Sequence, residues 1–181
     1  MSNYKRLKSE GGTFFFTVVT NKRQPVFDIP ECIKYLRASI KETRRTYPFH
    51  VDAWVLLPEH MHCIWTLPDN DSNYSRLWGL IKQGFTKRAR GLLPDQSISL
   101  SRIRHREASV WQRRFWEHEI KNEEDFNNHI DYIHYNPVKH GHVTRVQDWP
   151  YSTFHRYVKE GIYHVDWGGD GLDDLKQEYG E

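Results

Sequence analysis

Apolar positions along the chain follow two different periods, and each period marks an element. Residues 13–20 (TFFFTVVT) are aromatic and β-branched with little polar interruption, which predicts a central strand. Ile33, Leu36 and Ile40 recur at helical spacing and predict an amphipathic helix over 29–45, with Pro30 tolerated in its first turn and a basic outer face. Residues 49–57 (FHVDAWVLL) and 61–67 (MHCIWTL) read as two strands of a hairpin, joined by Pro58-Glu59. A second helix runs from an Asp71 or Ser72 cap to about Arg90, with Leu77, Leu80, Ile81 and Phe85 on one face and Gly91 ending it. Residues 92–109 keep no period and read as a long basic loop. WQRRFWEHEI, 111–120, resembles a strand, and Asn122 caps a last helix that Pro137 is expected to end at about Tyr135 or Asn136.

The order β, α, β, β, α, β, α, without repeats or low-complexity linkers, predicts an α+β fold: a ferredoxin-like, split βαβ antiparallel sheet with helices on one face. Residues 1–145 form the expected domain, and 146–181 a Trp- and Tyr-rich C-terminal extension with an acidic tail. A length of 181 residues suits one domain, and with 14% aromatic residues the core must be built largely from Trp, Phe and Tyr. Cys32 and Cys63 have neither paired nor metal-knuckle spacing, so no disulfide framework is expected. No apolar run approaches the roughly 20 residues that cross a bilayer, and the expected location is the cytoplasm.

Net charge is only +2, but its distribution is uneven. Between Arg76 and Arg114 ten Lys or Arg face two acids, Asp95 and Glu107, which marks a polyanion-binding segment. From Asp166 to Glu181 six acids stand against Lys176 alone.

Candidate chemistry gathers on two elements. In PEHMHCIW, His60 and His62 point to the same face of a strand, with Cα atoms about 6.6 Å apart, while Met61, Cys63, Trp65 and Leu67 take the core side. Two such imidazoles can grip one metal ion given a third ligand; a hydrogen-bonded pair on a sheet face is the other reading. On the last helix His129, Tyr132 and Asn136 share a face, and the Asn carbonyl oxygen suits a hard cation. A tyrosine beside a metal suggests phosphoryl transfer through a covalent intermediate. Spacing alone leaves Tyr135 as a competitor and ordinary packing as an alternative for either phenol.

GGTFFFTVVTNKR, AWVLLPEHMHCIWTLP, WQRRFWEH, DYIHYNPVKHGHV and DWPYSTFHRYV together resemble the ordered signatures of the REP-associated tyrosine transposases, in the HUH endonuclease superfamily. The resemblance runs from Gly11 to about Trp167. It implies that His60, His62 and Asn136 hold Mg²⁺ or Mn²⁺ and that Tyr132 is the nucleophile. Asn136 stands where many relatives in the wider superfamily carry the longer Gln. The implied reaction nicks and rejoins single-stranded DNA at REP-type hairpins flanked by a short tetranucleotide, through a 5′-phosphotyrosine link and a free 3′-hydroxyl. An inactive hairpin-binding descendant is the alternative, and a metal-dependent hydrolase of small phosphoesters a more distant one.

The charge map supplies candidate DNA contacts: Lys82, Lys87, Arg88 and Arg90 on the second helix, Arg102 and Arg104 in the basic loop, and Arg113 and Arg114 within the predicted strand 111–120, where a plain edge strand with basic flanks is the other reading. Asn3, Tyr4, Lys5 and Arg6 resemble the segment that reads the tetranucleotide; a solvated tail is the plain alternative. Asp170, Asp173, Asp174 and Glu178 are expected to compete with DNA for the basic groove.

Overall fold

The computed structural model describes residues 11–69, 71, 73–93 and 110–168. Asn3, Tyr4, Lys5, Arg6, Arg102, Arg104 and the acidic positions from Asp170 onward lie outside the described residues. Four strands, β1 (Gly12–Val19), β2 (His50–Leu56), β3 (His60–Leu67) and β4 (Trp116–Glu119), form one sheet in the order β2-β3-β1-β4. Every neighbouring pair is antiparallel. With α1 (Pro30–Thr46) between β1 and β2, and α2 (Tyr74–Ala89) between β3 and β4, this is the ferredoxin-like α+β arrangement.

Strand alternation divides the sheet into two faces. Phe14, Phe16 and Val18 of β1 and Met61, Cys63, Trp65 and Leu67 of β3 point to one side, where Leu36 of α1 and Leu77, Trp78, Ile81 and Phe85 of α2 close a large aromatic core. Phe15, Ala53, Val55 and Ile64 point to the other side. There α3 (Glu123–Lys139) lays Ile130, Tyr132 and Ile133 against them. Helices α1 and α2 thus share a face as expected, while α3 covers the opposite one.

Three boundaries differ from expectation. First, α2 is capped by Asn73, whose side chain accepts from the Arg76 N–H, while Asp71 accepts one step earlier from the Asn73 N–H. Second, α3 runs through Pro137 to Lys139. Proline removes one donor, but Gly141 at φ 72° closes the helix: its N–H bonds the Val138 carbonyl and the His142 N–H bonds that of Pro137, so the stop is a glycine C-cap two turns after Asn136 at most. Third, β4 is shorter than 111–120. Its ladder ends at Thr17↔Trp116, and the next bridge is Thr20↔Trp111, so five steps on one strand oppose three on the other. The surplus bulges outward and exposes Arg113 and Arg114.

After α3 the chain covers the outer edge of β2. Ser152 bridges Val55, the Leu56 N–H donates to Tyr151, and the Trp149 indole donates to the Leu56 carbonyl. The short helix α4 (Phe154–Lys159) then packs Phe154 and Tyr157 beside His134 of α3. His134 is fully buried, bonded to the Thr153 hydroxyl at 3.0 Å, and its pKa is pushed down to about 3 by burial and by the charges of Arg156 and His155.

That shift sets a pH dependence of stability. An unfolded histidine titrates near pH 6.5, so below that value the unfolded chain binds a proton the folded chain refuses. The stabilising contribution is complete above about pH 6.5 and is lost as pH falls toward 3. His129, lowered by burial, adds the same sign. Urea unfolding should give a lower midpoint at pH 5 than at pH 7, with His134 contributing at most about 1.4 kcal/mol per pH unit. His134→Gln should flatten the slope, and a wild-type midpoint unchanged between the two pH values would refute this reading.

Candidate active site

Register decides what the histidines touch. His62 pairs with Thr17 and His60 with Val19, at the end of β1 where the chain leaves the sheet. Both imidazoles are buried, at 1% and 0% exposure, with ring centroids 4.9 Å apart. His62 Nδ1 is hydrogen-bonded with the Thr17 hydroxyl at 2.9 Å, and His60 Nδ1 meets the Glu59 carboxylate at 2.9 Å. That bond holds the Glu59 carboxyl below its usual pKa, with the nearby Arg23 guanidinium at 3.6 Å acting in the same direction. Because Nδ1 is engaged in each ring, a ligand bond from either must be made by Nε2.

From the opposite side α3 presents one residue per turn. The Tyr132 ring stands 5.2 Å from the His62 ring and 6.1 Å from Phe15, and the residue is only 2% exposed. Two turns on, the His140 ring lies 5.1 Å from that of His60. Fully buried Asn136 sits midway, so helical register turns it toward the same histidine pair. The buried Nε2 of His60 has no hydrogen-bond partner among the described residues. Two imidazole nitrogens with a carboxamide oxygen form a donor set that a divalent cation fits, and an orphaned buried nitrogen is what such a site needs. Tyr135, by contrast, packs toward Trp167, with ring centroids 6.5 Å apart.

The partners that orient the histidines escaped the sequence. Glu59 and Thr17 orient the two histidines; Glu59 adjoins its partner in sequence, but Thr17 lies 45 positions away and needs the sheet register to be found. The Lys139 ammonium lies 4.8 Å from the Tyr132 ring centroid and 3.5 Å from its hydroxyl. At the start of α3, Asp125 ties the helix to β4: its carboxylate meets His118 Nε2 at 2.9 Å and His129 Nδ1 at 3.0 Å, and these donor atoms all lie within 4.8 Å of one another. Burial would raise the Asp125 pKa, but the Lys121 N–H and His118 hold it below the usual carboxylate value.

The described basic candidates divide between the bulge before β4 and the α2 side of the sheet. Arg113 and Arg114 project from the bulge at the end of β1 that also carries the Val19↔His60 pair. Lys82 donates to the Gln112 carbonyl at 3.1 Å. Lys87 and Arg88 on α2, and Arg90 at its C-cap, are exposed across the sheet from the histidines, and Arg88 is paired with Glu42 at 2.6 Å.

The paired histidines of β3 thus face a buried tyrosine on the helix that covers their side of a ferredoxin-like sheet. No protein-family model matches the chain. It is 47% identical over 174 residues to the REP-associated tyrosine transposase of Escherichia coli (strain K12), covering 96% of this chain and 94% of that protein. It is 46% identical over 172 residues to a protein of Haemophilus influenzae (strain ATCC 51907 / DSM 11121 / KW20 / Rd) named as a putative REP-associated tyrosine transposase, covering 94% and 95%. A solved REP-associated tyrosine transposase bound to a REP hairpin superposes with TM-score 0.82 at 45% identity, covering 100% of this chain and 98% of that one. The chain belongs to the REP-associated tyrosine transposase family. No helix among the described residues is long and apolar enough to cross a membrane.

Proposed function

We propose that this protein nicks and rejoins single-stranded DNA at REP-type hairpins, with Tyr132 as nucleophile and His60, His62 and Asn136 as the residues that hold Mg²⁺ or Mn²⁺. The observation that carries the reading is the buried Tyr132 ring 5.2 Å from His62, on the face of α3 that also bears Asn136. The solved relative bound to a REP hairpin supports the substrate class.

In the reaction the Tyr132 Oη–P bond forms as the P–O3′ bond breaks, giving a 5′-phosphotyrosine and a 3′-hydroxyl that takes up the phenol's proton. Total phosphoester bonding is conserved, so the reverse attack by a 3′-hydroxyl rejoins DNA without a nucleotide cofactor. A bound divalent cation would withdraw charge from the scissile phosphate. Glu59 and Thr17 fix the ring orientations of the histidines, and Phe15, under both His62 and Tyr132, keeps water from that side. Arg113 and Arg114, exposed on the bulge, would contact phosphates leading into the site, while the exposed α2 cations would meet DNA only where it passes around the sheet.

Incubation with end-labelled hairpin DNA and Mn²⁺ should yield a protein–DNA band that survives denaturation and vanishes with EDTA. Tight hairpin binding without any such band would leave a hairpin-binding protein and remove the nuclease. Turnover of small phosphoesters without an adduct would favour a hydrolase.

A further inference from the structure

We propose that Lys139 is a further catalytic residue of this site, its ammonium binding a non-bridging oxygen of the scissile phosphate as Tyr132 attacks. The inference rests on the proposed tyrosine chemistry and assigns to it a group outside the proposed nucleophile and metal ligands. Lys139 lies seven residues after Tyr132, two turns along the same helical face, and reaches back over the phenol. Its Nζ stands 3.5 Å from the Tyr132 hydroxyl and 4.8 Å from the ring centroid.

An oxygen poised for attack stands about 3 to 3.5 Å from the phosphorus it will bond. A cation 3.5 Å from Tyr132 Oη is therefore beside the phosphate oxygens once the substrate is seated. The His60–His62 pair approaches the same tyrosine from the β3 side, whereas Lys139 approaches from the last turn of α3. The transferring phosphate is held from two directions, and charge building on its equatorial oxygens meets a fixed positive group. As Oη–P forms and P–O3′ breaks, Lys139 keeps its protons and contributes charge and a hydrogen bond. Lysine suits this role because its point charge on a flexible stem can turn from the phenol to the phosphate without moving the helix.

The test is single-turnover adduct formation by the full chain, Lys139→Ala and Lys139→Arg, on two hairpin DNAs. One carries an ordinary scissile phosphate; the other a methylphosphonate there, which lacks the anionic non-bridging oxygen. On the phosphate, Lys139→Ala should fall about 10²- to 10³-fold in rate, with hairpin Kd changed by no more than about threefold and a large part of the rate restored in Lys139→Arg. On the methylphosphonate the gap between wild type and Lys139→Ala should nearly close. A Lys139→Ala rate equal to wild type on phosphate, an equal loss on both substrates, or a loss explained by weakened hairpin binding would each overturn the assignment, the second making Lys139 a group that acts on the phenol and the third a hairpin contact. Wild-type protein that forms no adduct on ordinary DNA would instead overturn the nuclease reading itself, and this inference with it.

Discussion

Tyr132→Phe should abolish adduct formation, lowering the single-turnover rate by more than about 10⁴-fold, because loss of a nucleophile leaves no alternative route to the covalent link. The fold should tolerate the change. The ring's contacts with Phe15 and His62 persist, and the deleted hydroxyl lies 3.5 Å from the half-buried Lys139 ammonium. Hairpin Kd should stay within about twofold and stability within about 1 kcal/mol. Tyr135→Phe should retain activity, since Tyr135 faces Trp167 and not the histidines. Denaturing gels with labelled hairpin and a urea melt of each variant check both halves of this expectation.

His60→Ala and His62→Ala should each reduce cleavage in millimolar Mg²⁺ by about 10²-fold or more, and the double variant should reach background, since each ring supplies one of few candidate ligand atoms. The two differ in their structural cost. His62 also packs on Phe15, ring centroids 5.5 Å apart, and bonds Thr17, so its loss should destabilise the chain by about 1 to 3 kcal/mol. Among the described residues His60 hydrogen-bonds the neighbouring Glu59 side chain alone, and its loss should cost less. Raising Mn²⁺ should restore part of the activity of the single variants. Glu59→Gln, which keeps the size but not the charge that anchors His60, should raise the Mn²⁺ requirement about 10-fold. Adduct rates across a metal titration, with hairpin affinity as the folding control, decide the matter; full activity of the double variant would exclude this metal site.

Much of the architecture was legible because it is written in local periods. Alternation along β3 separated Met61 and Cys63 from the two histidines without knowledge of any partner strand, whereas on the unbroken apolar run of β1 only the fold divides Phe14 and Phe16 from Phe15. The helical repeat placed His129, Tyr132 and Asn136 on one face of α3 for the same reason. What stayed hidden depends on contacts between distant parts of the chain or on competition between local signals. Thr17 meets His62 only through the β1–β3 register. Pro137 reads as a stop, but one missing donor weighs less than the two carbonyls capped around Gly141. The bulge at 112–115 reads as continuous strand because Trp111, Phe115 and Trp116 bracket it with strand-favouring aromatics, while the β1 pairing allows only Trp116–Glu119 to join the ladder. The face that α3 covers is a tertiary choice, and it separates the α2 cations from the histidines by the full sheet.

The most direct test identifies the tyrosine that carries the DNA. Wild-type protein trapped on a hairpin substrate, digested with nuclease and protease and analysed by mass spectrometry, should show the residual nucleotide mass on Tyr132 within the α3 peptide and an unmodified Tyr135. A modified Tyr135, or any other modified residue with Tyr132 bare, would contradict the assignment of the nucleophile and the site built around it.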